Sequence, residues 1–203
     1  AFDRTFIVEV MGRASGYLAM TAGVAAGADT ILFPESHKNA DELVDAVTTT
    51  ALKALRHDNR PRSALIVKAE GSTLGPEELQ ERVDAELAAR AEDGEPEVQT
   101  RVTVLGHVVR GGRPTAFDRL LASRLAHAAV DALADGRHRK MAAWLMPEPP
   151  PDDLAYRSPV DPYCWIVDLD AALTETRRML DGTSPLVEWR ARVFRNVEDV
   201  LRM

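Results

Sequence analysis

The chain has 203 residues, of which 45% are hydrophobic, and a formal net charge of −7, so it is long enough to bury a core. The negative charge argues against binding to nucleic acid or to a membrane surface, because a phosphate backbone or an anionic lipid would be repelled by the average field. There is no membrane-spanning apolar run and no signal-peptide pattern, and the single cysteine, Cys164, is interpreted as a small packed residue. These features predict a cytoplasmic protein.

Five short apolar or β-branched runs are predicted to be strands. They cover residues 6–10, 30–33, 64–68, 101–105 and 141–145. Helical patterns lie between them, at 41–56, from Pro76 to about Gly94, and at 115–134. Asn39 and Glu42 form a capping-box pattern before the first of these helices. The helix at 115–134 is predicted to turn six residues inward: Leu120, Leu121, Leu125, Ala128, Ala129 and Leu133.

The alternation of strands and helices predicts the α/β class, with a three-layer parallel sheet covered by helices. A connection rich in proline and aspartate follows at 147–163, where regular structure should be interrupted. Two amphipathic helices are predicted after it, at 168–180 and 185–202. We therefore expect an α/β lobe at 1–146 and, at 147–203, a proline-rich connection with C-terminal helices that pack on the lobe.

The first strand is followed by residues that suit an anion. Ligands of open α/β sheets bind beyond the carboxyl ends of the strands. Met11, Gly12 and Arg13 stand at such an end, and Ser15 and Gly16 stand at an expected helix N-terminus. Free amide groups there, together with a glycine and an arginine, predict an anion-binding turn.

Two further strand ends carry residues of the same kind. Glu70 begins the Glu-Gly-Ser run after the third strand, and His107 and Arg110 lie in the Gly-His-Val-Val-Arg-Gly-Gly run after the fourth. Glu70 can accept hydrogen bonds from sugar hydroxyls, while His107 and Arg110 can hold a phosphate. One carboxylate with several cations predicts a phosphosugar site.

Each of these residues also has an ordinary structural interpretation. Arg13 or Arg110 alone fits a surface ion pair, His107 fits a packed loop histidine, and Glu70 fits a surface carboxylate. The prediction of a site therefore depends on their joint placement at strand ends.

Two segments resemble the phosphofructokinase family. They are VEVMGRASGYLAMTAGVAAGADTILFPE at 8–35 and RVTVLGHVVRGGRPTAFDR at 101–119. The second is similar to the family's long signature, with its leading arginine, Gly-His pair, Arg-Gly-Gly turn and later Asp-Arg. The resemblance in order and spacing covers about residues 1–145 and implies a phosphofructokinase-like substrate lobe with a helical C-terminal extension.

This resemblance implies a role for particular residues. Within one subunit, the residues expected to contact fructose 6-phosphate are Met11, Gly12, Glu70, His107 and Arg110. Arg13 matches an active-site arginine that can steady the transferred phosphoryl group, which makes it the expected catalytic residue. Arg4 and Arg101 match arginines that such enzymes insert into the site of a neighbouring subunit, so a homo-oligomer, either a dimer or a tetramer, is expected.

The resemblance further implies a 6-phosphofructokinase that converts fructose 6-phosphate to fructose 1,6-bisphosphate in glycolysis. Mg²⁺ with ATP, or diphosphate, is expected to bind mainly through an N-terminal half that carries a Gly-Gly-Asp loop and a Thr-Ile-Asp-Asn-Asp segment. Neither motif occurs in these residues, so no metal ligand is expected in this chain, and the chain alone is expected to be inactive. Two alternatives stay open: a diphosphate-dependent phosphotransferase and a non-catalytic phosphosugar-binding relative.

Overall fold

The computed structural model describes residues 4–56, 63–92, 98–144, 155–157, 161 and 163–201. The strands are β1 (Arg4–Val10), β2 (Thr30–Leu32), β3 (Ala64–Ala69), β4 (Gln99–Val104), β5 (Lys140–Trp144), β6 (Ala155–Arg157) and β7 (Cys164–Asp168). The α-helices are α1 (Tyr17–Ala26), α2 (Ala40–Arg56), α3 (Pro76–Arg90), α4 (Ala116–Ala134), α5 (Leu169–Leu180) and α6 (Pro185–Leu201). Unit 1 comprises Ala1–Gly111 with Pro185–Met203, and unit 2 comprises Gly112–Ser184.

Unit 1 contains a four-stranded parallel sheet in the order β2-β3-β1-β4. In its register Val10 pairs with Ala69, and Glu9 pairs with Val104. The carboxyl ends of β1, β3 and β4 therefore lie side by side, so the turns that leave these three strands start from one edge of the sheet.

Helices cover both faces of this sheet. On one face, Ala19 and Met20 of α1 pack with Ile31 and Val67 of the strands. On the other face, the apolar sides of α2 and α3 pack against the sheet, and Val47, Leu79 and Val83 are fully buried there. The predicted capping box at the start of α2 is confirmed, because the Asn39 side chain accepts the Glu42 amide at 3.0 Å while Glu42 accepts the Asn39 amide at 2.8 Å.

Unit 2 contains a three-stranded antiparallel sheet in the order β5-β7-β6. Ala128 and Ala132 of α4 pack against Cys164 and Ile166 of β7. Cys164 is fully buried, which confirms its interpretation as a packed residue, and burial raises the pKa of its thiol. A capping box of Thr115 and Asp118 starts α4.

An arginine also ties α4 to the segment before β7. Arg124 binds the Asp161 carboxylate with two donors and stacks over Trp144 at 4.4 Å and over Tyr163 at 5.6 Å. Trp144 and Tyr163 stack on each other with ring centroids 5.3 Å apart. These contacts hold the middle of α4 against Trp144 at the end of β5 and against the segment before β7.

The predicted parallel sheet with helices on both faces is found in unit 1, but the fifth predicted strand lies elsewhere. The run at 141–145 contributes β5, which pairs antiparallel with β7 in unit 2, and residue 145 lies outside the described residues. Sequence pattern alone did not reveal this pairing, since β7 comes after the proline-rich connection. Much of that connection, at 147–154, 158–160 and 162, and the proposed stop at Gly94 also lie outside the described residues.

The predicted inward face of α4 was partly wrong. Leu120 and Leu133 are 63% and 60% exposed, whereas Ala128 and Ala132 are buried. The sheet of unit 2 covers a narrow face of the helix that is centred on these two alanines. The two units also divide the chain at different points from the boundary predicted at residue 146, with α5 in unit 2 and α6 in unit 1.

Candidate functional site

The turn after β1 has positive φ angles at two consecutive residues, a backbone conformation that few residue types adopt. Gly12 has φ +149° and Arg13 has φ +47°, and both values lie in the left-handed region that side chains disfavour. The Gly12 amide donates to Oε1 of Glu70 at 3.1 Å, and the Arg13 amide donates to the same oxygen. A carboxylate from the end of β3 thus holds the turn that follows β1.

The turn after β3 packs directly against the first turn. Glu70 donates its own amide to the Val10 carbonyl at 3.0 Å. Gly71 lies so close to the backbone of Arg13 that a side chain at this position would overlap the Arg13 carbonyl. Glycine is therefore required at residue 71 by close approach.

The turn after β4 presents the two predicted phosphate ligands. The Leu105 amide donates to the Glu9 carbonyl at 3.0 Å, which joins the start of this turn to β1. A short 3₁₀ helix then runs over Gly106–Arg110, and His107 and Arg110 are both exposed on it. Both side chains are accessible to a ligand.

The electrostatic environment of Glu70 indicates that cations surround it. The amides of Arg13 and Gly12 lower the pKa of the Glu70 carboxyl, and the positive charges of Arg13 and Arg110 lower it further. Glu70 is therefore an ionised acceptor at neutral pH, with two guanidinium groups close enough to act on its charge.

The expectation of free amides after β1 was only partly correct. Besides the two amides that Glu70 binds, the Gly16 amide donates to both carboxylate oxygens of Glu35, each at 2.9 Å. The Tyr17 amide donates to the Ser15 hydroxyl at 3.3 Å. Carboxylates of the chain itself thus bind the amides of Gly12, Arg13 and Gly16, so anion binding at this turn depends more on the cationic side chains than we expected.

Six of the eight predicted site residues lie together at the carboxyl edge of the parallel sheet: Met11, Gly12, Arg13, Glu70, His107 and Arg110. Arg4 and Arg101 lie away from this edge. Arg4 is the first residue of β1, and Arg101 pairs with Phe6 in the amino-terminal half of β4. At about 3.3 Å per residue, Arg4 lies roughly 20 Å along β1 from Met11.

The comparison with protein-family models decides the family of this chain. The model described as Phosphofructokinase matches residues 1–133, which include all three turns of the site. The chain belongs to the phosphofructokinase family.

Two curated relatives match well beyond the site. An ATP-dependent 6-phosphofructokinase of Brevibacillus brevis is 42% identical over 139 residues, which cover 68% of this chain and 39% of the relative. ATP-dependent 6-phosphofructokinase 2 of Nostoc sp. is 38% identical over 173 residues, which cover 78% of this chain and 47% of the relative. The chain therefore spans less than half the length of these phosphofructokinases.

Solved structures confirm the predicted α/β class. Phosphofructokinase of Pichia pastoris in the T-state matches 100% of this chain and 20% of its own, with a TM-score of 0.65 and 28% identity. The pyrophosphate-dependent phosphofructokinase of Marinobacter aquaeolei covers 83% of this chain and 40% of its own with a TM-score of 0.53, and its 23% identity shows the shared fold alone.

Sequence reasoning missed three charged residues that lie beside these turns of the phosphofructokinase chain: Glu9, Glu35 and Lys68. Glu35 stands just after β2, so the rule that selected the other strand ends would have found it. Lys68 interrupts an otherwise apolar strand, which is itself a signal.

Neither a metal-ligand cluster nor a membrane-spanning helix is found among the described residues. Among them, no group of three or more histidine, cysteine, aspartate or glutamate side chains could hold a metal ion. None of the helices in the described parts is both long and apolar enough to cross a membrane.

Proposed function

We propose that unit 1 is the fructose 6-phosphate-binding part of a 6-phosphofructokinase. The complete enzyme would transfer a phosphoryl group to the 1-hydroxyl of fructose 6-phosphate and yield fructose 1,6-bisphosphate in glycolysis. The observation that supports this most is the meeting of three turns at one sheet edge, where Glu70 faces the charges of Arg13 and Arg110. A sugar phosphate needs this combination of a hydroxyl acceptor and phosphate-binding cations.

In this proposal, the two ends of the substrate are bound by different turns. Both bonds from the first turn go to Oε1 of Glu70, so Oε2 can accept hydrogen bonds from a sugar hydroxyl. His107 and Arg110 bind the 6-phosphate, which carries close to two negative charges at neutral pH. Met11 and Gly12 line the sugar between them.

Arg13 is proposed to act on the transferred group. An oxygen–phosphorus bond forms between the 1-hydroxyl oxygen and the terminal phosphorus of the donor, while the bond from that phosphorus to the bridging oxygen breaks. A guanidinium beside the phosphoryl oxygens neutralises their charge and holds the group in line. The hydroxyl proton goes to a base, which the family resemblance assigns to the aspartate of a Thr-Ile-Asp-Asn-Asp segment that these 203 residues do not contain.

The names of the matched relatives support ATP as the phosphoryl donor. Curated relatives at 38–42% identity are ATP-dependent 6-phosphofructokinases, whereas the pyrophosphate-dependent neighbour shares the fold at 23% identity. Mg²⁺ would accompany ATP, but the described residues do not supply a cluster of ligands that fits the metal. We therefore assign no step in this chain to a metal ion.

We also propose that the complete protein is a homo-oligomer. Arg101 is exposed at the amino half of the edge strand β4, far from the site of its own chain. Arg4 and Arg101 would instead complete the phosphate site of a neighbouring subunit in a dimer or tetramer. Light scattering of the complete protein should give at least a dimeric mass, and a monodisperse monomer would contradict this arrangement.

Isothermal titration calorimetry tests the proposed substrate. Fructose 6-phosphate should bind to the chain, while glucose 6-phosphate and unphosphorylated fructose should bind more weakly, because the site recognises both the ring and the phosphate. If folded protein bound all three compounds equally or none of them, unit 1 would not be a fructose 6-phosphate site by itself.

A further inference from the structure

Lys68 is a fully buried lysine within a strand that is otherwise apolar. Its ammonium donates to Oε2 of Glu9 at 2.7 Å and to the carbonyl oxygen of Ala69 at 3.1 Å. The Lys68 side chain is 0% exposed and that of Glu9 is 13% exposed. Burial of this pair gives little net stabilisation, because the free energy of removing both charged groups from water is about as large as the free energy of their attraction.

A contribution to stability therefore does not explain why the sequence has a buried ion pair at this position. Replacing a buried ion pair with apolar side chains of similar volume is often neutral or stabilising. The further hydrogen bonds of Lys68 and Glu9, by contrast, lie where the chain enters the turns of the candidate site, at the Ala69 carbonyl and the Leu105 amide.

The ammonium of Lys68 holds the turn that carries Glu70. The Ala69 carbonyl that it binds also accepts the Ser72 amide at 3.1 Å, and this second bond closes the turn over Glu70 and Gly71. Lys68 therefore fixes the acceptor on which the turn closes.

The carboxylate partner of this ammonium, Glu9, lies next to the two other turns. Its backbone carbonyl accepts the Leu105 amide at 3.0 Å, where the chain enters the segment with His107 and Arg110. Glu9 also precedes Met11 by two residues, and the intervening Val10 carbonyl accepts the Glu70 amide at 3.0 Å. The side chains of the ion pair thus join β1 to the turn after β3. The backbone of Glu9 in addition lies beside the first residues of the two other turns.

We propose that the Lys68–Glu9 ion pair positions the three turns relative to one another. Lys68 is a positioning residue: it acts through Glu9 and Ala69 and does not contact the substrate. Two apolar side chains at residues 9 and 68 would fill the same volume. They would not form the hydrogen bonds to the Ala69 carbonyl and between the side chains of β1 and β3, so the turns would shift by small amounts. Small displacements matter here, since binding groups have to be held within a fraction of an ångström. The effect on ligand affinity rests on the proposed function of the site, whereas the effect on the turns does not.

Hydrogen exchange of individual amides, measured on the double variant Glu9→Leu/Lys68→Met, tests this role without any ligand. The melting temperature should stay close to that of the wild type, because the apolar pair replaces the ion pair in volume. The amides of Gly12, Arg13 and Ser72 should exchange about tenfold faster, while amides within β3 keep their wild-type rates. Fructose 6-phosphate affinity should fall by on the order of tenfold.

Lys53→Met is the matched control, since Lys53 is an exposed lysine on α2 of the same unit. It should leave the melting temperature, the three amide rates and the affinity unchanged. Wild-type exchange rates at Gly12, Arg13 and Ser72 in the double variant would overturn the proposal. Faster exchange throughout β3, or a double variant that fails to fold, would also overturn it by showing a general structural role. If the wild type itself does not bind fructose 6-phosphate, the proposed function fails, and the exchange rates still decide the role of Lys68.

Discussion

The parallel sheet of unit 1 and the antiparallel sheet of unit 2 each take part in an ion pair, and these two pairs lie in different places. In unit 1, Lys68 and Glu9 are buried between strands whose turns form the candidate site. In unit 2, Arg124 and Asp161 tie a helix to the sheet, with side chains that are 37% and 13% exposed. Parallel strands bring their carboxyl ends to one edge, whereas antiparallel strands distribute them over two edges. In the role proposed above, the Lys68–Glu9 pair of unit 1 sets the geometry of the turns, whereas the Arg124–Asp161 pair of unit 2 serves stability.

The largest effect is expected from Gly71→Ala. Its added methyl group would overlap the Arg13 carbonyl and displace the turn that carries Gly12 and Arg13. Fructose 6-phosphate affinity should fall by on the order of a hundredfold or more, measured by calorimetry. Gly75→Ala is the matched control from the same loop, because a methyl group there meets nothing within 4 Å and φ is −63°. Equal affinities of the two variants would show that this close approach does not matter for binding.

Arg110→Ala should weaken fructose 6-phosphate binding by about 1–3 kcal/mol, because it removes a charged donor to the phosphate. Affinity for unphosphorylated fructose should not change. Arg113→Ala, another exposed arginine nearby in sequence, serves as the control. Unchanged affinity for fructose 6-phosphate in Arg110→Ala would remove the assigned phosphate contact.

Asp161→Asn should lower the melting temperature at pH 7 without changing fructose 6-phosphate affinity. The bond from Arg124 holds the pKa of Asp161 well below its usual range. Because the folded pKa lies below the unfolded value, this stabilisation is fully present above about pH 4 and is lost as the pH falls further. The difference in melting temperature between wild type and variant should therefore be full at pH 7 and begin to narrow below about pH 4, with part of it remaining at pH 3.

Asp41→Asn is the control for this pH dependence. Asp41 also pairs with an arginine, Arg82, but its side chain is 89% exposed, and such pairs contribute little. Its melting temperature should match the wild type at both pH values. A difference between wild type and Asp161→Asn that persists in full at pH 3 would show that the carboxylate charge is not the cause.

The smallest effects are expected from the two helix caps, one in each unit. Asn39→Ala removes the cap of α2 and Thr115→Ala removes that of α4. Each should lower the free energy of unfolding by about 1 kcal/mol in chemical denaturation and leave ligand affinity unchanged. If either cap variant changed fructose 6-phosphate affinity, the cap would contribute to binding as well as to stability. This result would be most informative for Asn39, which lies in the same unit as the candidate site.

Much of unit 1 could be predicted because its signals are local. The four strands, the helices at 41–56 and after Pro76, and the Asn39–Glu42 capping box all follow from short patterns that the structure confirms. The strand-end rule then selected Arg13, Glu70 and Arg110, and their charges act on one another in the structure.

Unit 2 was harder to predict because its sheet depends on a distant pairing. The fifth strand had a clear apolar pattern, but its partner β7 comes after the proline-rich connection. Local pattern cannot distinguish a parallel neighbour from an antiparallel one, and for α4 it could not tell which apolar residues the sheet would cover.

The sequence by itself determined which residues reach the carboxyl edge of the parallel sheet, because the turn after each parallel strand has a defined place in an α/β sheet. It also carried the family signature that the match over residues 1–133 confirms. Only the tertiary structure decided how these turns are held. Glu70 binds the amides of Gly12 and Arg13, and Lys68 binds Glu9, across sequence separations of 57 to 59 residues. Such bonds depend on the register of β1 against β3, which the strand pattern does not specify but the packed sheet does.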